Sequence, residues 1–119
     1  MKIKSGAVVQ FEAYSQFKSV EEFLQHVERL LVDYEKELTQ KEWVALSMLA
    51  QYSTIIPGVS NPTIAVMLEF IQEKDYDKMI SRATFKRMLT KAKALGILTV
   101  VETEKENGFQ LSNLYIFNK

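Results

Sequence analysis

The sequence predicts a mainly α-helical fold closed by a small β-hairpin, an α+β arrangement, and three observations carry that reading. Apolar residues recur at spacings of three and four through most of residues 19–95, and each run opens on a residue type that caps helix N-termini. Beyond Gly96 the period switches to two, with Asn107-Gly108 between two β-rich runs. The 119 residues are 47% hydrophobic and contain no cysteine, so one core can form without disulfides.

Residues 1–18 mix short apolar and polar side chains. Ala7 to Phe11 can pair as a weak strand, or the segment can lie as a loose arm. From Ser19 the pattern sharpens: Val20, Phe23, Leu24, Val27, Leu30, Leu31, Tyr34 and Leu38 share one side of a helix running from Val20 to about Glu37. Ser19 and Glu22 have the spacing of a capping box. The outward face of this helix is acidic (Glu21, Glu28, Asp33, Glu35, Glu37), which repels a phosphate backbone. Its apolar seam either packs within the domain or pairs with a second copy, making the Ser19 to Leu38 helix a possible homodimer element. Packing within the chain is favoured, against Trp43, Tyr52 and the third helix, because two to three heptads make a weak coiled coil.

Thr39 and Glu42 form a second capping box, opening a helix through about Ser53 that buries Trp43, Leu46, Leu49, Ala50 and Tyr52. Ile55 to Ser60 is a loop punctuated by Pro57 and Gly58. Asn61 then caps a third helix with Pro62 at its first position, and Ile64, Met67, Leu68 and Ile71 form its core face. Ser81 caps a fourth, which ends at Gly96 in the left-handed C' position. Its buried side is Phe85, Met88, Leu89, Ala92 and Leu95, and its other side carries Ala83, Lys86, Arg87, Thr90, Lys91 and Ala94. Ile97 to Thr103 and Phe109 to Phe117 are the hairpin strands. The apolar parity slips at Ser112-Asn113, where a β-bulge would account for it.

Charge separates along the chain although the total is zero. Residues 1–77 hold seven cations against twelve acids, and residues 78–119 hold eight against three. From Lys78 to Leu95 there are six cations (Lys78, Arg82, Lys86, Arg87, Lys91, Lys93) and no acid, which makes the helix either a candidate for polyanion contact or simply a solvated charged face. The single histidine, His26, lies inside a helix as a structural residue, and no thiol, histidine pair or metal-ligand spacing supplies catalysis. No enzyme, metal or cofactor is expected. No apolar run approaches the ~20 residues that span a bilayer, and Met1 to Gln10 lacks a signal-peptide core, so a cytoplasmic protein without a membrane partner is expected.

Helix, helix, basic helix and hairpin follow one another in the order of a winged helix-turn-helix domain over residues 39–119, preceded by the amphipathic helix of residues 19–38. In such a domain the second helix of the motif enters a major groove about 12 Å wide. The candidate DNA-binding residues are Ser81, Arg82, Ala83, Thr84, Lys86, Arg87, Thr90 and Lys91. Arg82 and Lys91 suit phosphates, Lys86 and Arg87 can donate to guanine O6 and N7, Thr90 can bond a base or phosphate, and Ala83 leaves room for a thymine methyl. At the wing, Lys105 and Asn107 are weaker candidates, set among Glu102, Glu104 and Glu106.

Residues 39–117 resemble the winged-helix domains of Gram-positive bacterial plasmid and phage proteins, including replication initiators and small regulators. The resemblance lies in TQKEWVALSMLAQYS, PGVSNPTI, ISRATFKRMLTKAKALGILTV and NGFQLSNLYIF. It implies a sequence-specific double-stranded DNA-binding protein, a transcriptional regulator or plasmid or phage maintenance factor, associated with the nucleoid when bound. The alternative is a winged-helix module whose basic face meets an acidic protein partner and no DNA.

Overall fold

The computed structural model describes residues 3–4, 8–75, 79–104 and 113–119. In order, the elements are β1 (Ile3–Lys4), a 3-10 helix (Val8–Tyr14), α1 (Val20–Asp33), α2 (Gln40–Tyr52), β2 (Val59–Ser60), α3 (Ile64–Lys74), α4 (Arg82–Ala94), β3 (Leu98–Glu104) and β4 (Asn113–Phe117). The fold is mainly helical with a small sheet, the α+β class expected. The sheet runs β1-β3-β4-β2, antiparallel except for the short parallel β1 on its edge. Among the described residues no helix is long and apolar enough to cross a membrane.

Local chemistry explains the helix ends. Thr39 and Glu42 make both halves of the capping box: the Thr39 hydroxyl accepts from the Glu42 N–H at 3.2 Å, and the Glu42 carboxylate accepts from the Thr39 N–H at 2.9 Å. Ser19 caps α1 by accepting from the Glu22 N–H, but the box is only half made, because the Glu22 carboxylate pairs with the Lys119 ammonium. Helix α3 starts two residues later than expected. Thr63, not Asn61, is the cap, its hydroxyl accepting from the Val66 N–H, and Pro62 precedes the helix. At the end of α4, Gly96 adopts φ +77° and donates to the Lys93 carbonyl, while Ile97 donates to the Ala92 carbonyl. Those two bonds are a Schellman motif, which turns the chain directly into β3.

Helix α1 stops at Asp33, short of Glu37. The Leu31 carbonyl, which would accept from Glu35 in a continuing helix, accepts instead from Trp43 Nε1 at 2.9 Å, and the Glu35 N–H turns to Val32. Most of the apolar seam of α1 is filled by its own chain, whereas Leu24, expected on the same side, is exposed. Phe23, Val27, Leu30, Leu31 and Leu38 are buried in one cluster with Leu46, Leu49, Phe85, Met88 and Phe117. Phe23 stacks edge-on against Phe117, and Tyr52 meets Phe70 of α3 in the same way. His26 is half-buried with its ring on Phe17, a structural placement.

Two segments differ from their sequence expectation. Val59–Ser60, expected as loop, is a strand paired with Ile116 and Tyr115 of β4. The N-terminal segment, read as either a weak strand or a loose arm, is neither over Val8–Tyr14, which winds as a 3-10 helix, and Ala7 lies outside the described residues. Spacing of three eclipses side chains in such a helix, which brings Phe11 and Tyr14 together, and Phe11 is buried with Ile56, Val59, Leu114 and Ile116 in a second cluster. Strand β4 is therefore buried on both faces: Leu114 and Ile116 meet that cluster, Tyr115 and Phe117 the main core. Ladder register is continuous from Leu98↔Phe117 to Glu102↔Asn113. The hairpin tip with Lys105 and Asn107, and the bulge expected at Ser112, lie outside the described residues.

Gly58 is where these layers meet. It sits at φ +80°, accepts from the Phe117 N–H at 2.8 Å, and a Cβ there would stand 2.9 Å from the Phe17 ring and 3.3 Å from that of Phe23. Gly58→Ala combines a left-handed alanine with overpacking and should lower unfolding free energy by roughly 2 to 4 kcal/mol. Around Gly96 a Cβ meets nothing within 4 Å, so Gly96→Ala should cost only about 1 to 2 kcal/mol. Urea denaturation of the two variants checks the order, and equal losses would contradict it.

Candidate nucleic-acid interface

Helix α4 packs chiefly on α2, and also on α3 and β3. Thr84, Phe85, Met88, Leu89 and Ala92 are its buried side, while Ser81, Arg82, Ala83, Lys86, Arg87, Thr90, Lys93 and Ala94 are exposed and Lys91 is half-exposed. At 100° per residue the exposed side divides into three strips. Arg82, Lys86 and Lys93 fall within about 40° of one another along one edge. Ala83, Thr90 and Ala94 form a strip of small residues down the middle. Arg87 and Lys91 lie along the other edge, beside α2.

The two cationic edges differ in what they already hold. Lys91 Nζ lies 2.6 Å from Glu42 Oε1, and Arg87 Nε lies 3.6 Å from Glu42 Oε2. The Glu42 side chain is 1% exposed, whereas those of Arg87 and Lys91 are 60% and 41% exposed. Arg87 Nη2 also donates to Thr84 Oγ1 at 3.0 Å, and the same oxygen accepts from the Ser81 hydroxyl. A continuous polar chain thus joins the cap of α2 (Thr39, Glu42) through Lys91 and Arg87 to the cap of α4 (Thr84, Ser81). Arg82, Lys86 and Lys93 have no ion pair among the described residues.

The candidates therefore separate. Arg82, Ala83, Lys86 and Thr90 stand on the open side. Thr84 does not: it is 6% exposed, and its hydroxyl is enclosed between Ser81 and Arg87. The Ser81 hydroxyl is spent as the cap. Thr90 donates its hydroxyl proton to the Lys86 carbonyl at 3.1 Å, leaving an oxygen that can accept from a base amino group. Lys93 completes the unpaired edge, legible in the sequence only as one of six cations. Glu42 was legible as a capping residue but not as the partner of α4, since 49 residues separate it from Lys91.

Burial by itself would raise the Glu42 pKa, but the Lys91 ammonium and the Thr39 N–H outweigh it and hold the carboxyl below its ordinary value of 4.5. The folded chain thus holds this proton less tightly than the unfolded chain. The stabilisation is fully present above about pH 4.5 and is lost as pH falls through the lower folded value. Glu22 is shifted the same way by Lys119. A comparison of Glu42→Gln with the unsubstituted protein isolates Glu42: the substituted chain should lose less stability between pH 5 and pH 3, and parallel acid limbs would contradict the pairing.

Among the described residues no group of His, Asp and Glu side chains is placed to hold a metal ion. Comparison of the chain with protein-family models, curated proteins and solved structures found no match.

Proposed function

We propose that the chain binds double-stranded DNA sequence-specifically through α4, with residues 39–119 forming a winged helix-turn-helix, and serves as a transcriptional regulator or plasmid or phage maintenance factor in the bacterial cytoplasm. The observation that carries this reading is the exposed cationic edge of Arg82, Lys86 and Lys93, without an ion pair among the described residues, beside a strip of small side chains on α4. The element order α2, β2, α3, α4, β3, β4, with β2 beside β4, supports it.

Arg82 to Lys93 spans about 16 Å along the helix, long enough to follow one wall of a major groove. Arg82, Lys86 and Lys93 meet phosphates, and the small strip lets the backbone of α4 approach base edges closely. Ala83 faces a thymine methyl, and the Thr90 oxygen accepts from adenine N6 or cytosine N4. With most of the α1 seam filled by the chain's own core, the smallest binding unit is one copy on one half-site.

Selection from a random duplex library, followed by binding across a salt gradient, tests the reading. Three neutralised phosphates give a slope of log K against log[salt] of roughly −3, with one preferred sequence enriched. A flat salt response would favour an acidic protein partner and end the DNA reading.

A further inference from the structure

We propose that Glu42 is a positioning residue for this interface: by holding Arg87 and Lys91 it withdraws one cationic edge of α4 from phosphate contact, and so sets the salt dependence and selectivity of DNA binding. The inference rests on the DNA-binding reading and deepens it.

The capping box alone does not call for a charge at position 42. A glutamine at that position of a helix accepts from the cap N–H equally well, yet the chain buries a carboxylate there. That carboxylate is fixed in place: it accepts from the Thr39 N–H at 2.9 Å and from Lys91 Nζ at 2.6 Å, on a side chain 1% exposed. A phosphate that drew Lys91 and Arg87 away would leave a buried charge without its cations, which is strongly unfavourable. The two cations therefore do not count as free phosphate ligands. Arg87 keeps a further function. Held by Glu42 at its Nε and by Thr84 at its Nη2, its guanidinium is ordered before DNA arrives, and its remaining N–H donors suit guanine O6 and N7. One edge of α4 then supplies attraction without sequence preference, and the other supplies an oriented donor whose charge is partly offset by the carboxylate it shares with Lys91.

The test uses the full chain with Glu42→Gln, which keeps the acceptor for the cap and removes the charge. Binding to a random-sequence duplex and to the selected site is measured between 50 and 300 mM salt. Release of Arg87 and Lys91 should steepen the slope from roughly −3 to between about −4 and −5, and tighten random-duplex binding at low salt by about tenfold or more. The preference for the selected site should fall. A slope unchanged to within about 0.5 would show that Glu42 serves the fold alone, and would overturn the proposal. Lys91→Met is the second variant and decides if Glu42→Gln does not fold, because it leaves Arg87 beside the carboxylate. It should move the slope by less than about 0.3, and a loss near 0.9 would mean that Lys91 meets a phosphate despite Glu42, which also overturns the proposal. Absence of any duplex binding by the unsubstituted protein at 50 mM salt would remove the DNA reading and this proposal together. Duplex binding by the unsubstituted protein, with no steepening in Glu42→Gln or with a loss near 0.9 in Lys91→Met, removes the proposal alone.

Discussion

The triple variant Arg82→Gln, Lys86→Gln, Lys93→Gln is expected to bind its preferred duplex on the order of a thousandfold more weakly than the unsubstituted protein at 50 mM salt, with most of the salt dependence gone. Each of the three cations is exposed, and none forms an ion pair among the described residues. Their loss removes phosphate contacts without orphaning a buried group. The thermal midpoint should stay within about 2 °C, since surface substitutions of this kind fall within about 0.5 kcal/mol. Substituting Lys86 and Arg87, the pair that the sequence nominates for base contact, would be a poorer test: Arg87 also serves Glu42 and Thr84, so lost binding and lost packing would be mixed. Filter binding with parallel circular dichroism separates the two effects. Retained affinity in the triple variant would sink the assignment of α4 as the DNA-reading helix.

The largest loss of stability is expected from Phe85→Ala, at about 3 to 5 kcal/mol. Phe85 is fully buried on the core side of α4, beside Met88 and Ala92. The helix needs that anchorage more than its neighbours do. From Arg82 to Ala94 it carries five cations and no acid, and like charges four apart, such as Arg82 with Lys86 and Arg87 with Lys91, cost a few tenths of a kcal/mol per pair in an isolated helix. Burial of Phe85 and its neighbours is what holds such a segment helical. Against a typical unfolding free energy of 5 to 15 kcal/mol, the loss is a third or more for most of that range. Urea titration gives the number directly, and a loss below about 1 kcal/mol would mean that the ring is not in the core.

Elements whose causes are local were legible in the sequence. The caps at Ser19, Thr39 and Ser81 stand where the sequence places them, and each hydroxyl meets an N–H three residues on. Gly96 ends α4, and the buried faces of α4 and, apart from the exposed Leu24, of α1 match their periodicity, because which face is apolar is decided within three or four residues along the chain. Part of the open side follows from the same arithmetic: Ala83 and Thr90 lie opposite the apolar face, whereas Arg82 falls about 20° from Leu89 on the wheel, and its exposure is read from the structure.

Only the tertiary structure decided what sits on each face. Val59–Ser60 carries loop signals and becomes a strand because β4 lies beside it, and pairing across more than 50 residues leaves no local trace. The end of α1 is set by an indole twelve residues away. Thr84 lies near the edge of the polar side on a helical wheel, yet it is buried, its hydroxyl enclosed by the Arg87 guanidinium and the Ser81 hydroxyl. The sequence by itself determined that α4 is a capped, one-sidedly cationic helix presenting Lys86 and Thr90 outward. That two of its five cations share one buried carboxylate was decided by the position of Glu42, because an ion pair is a matter of distance through space, which periodicity along one helix does not encode.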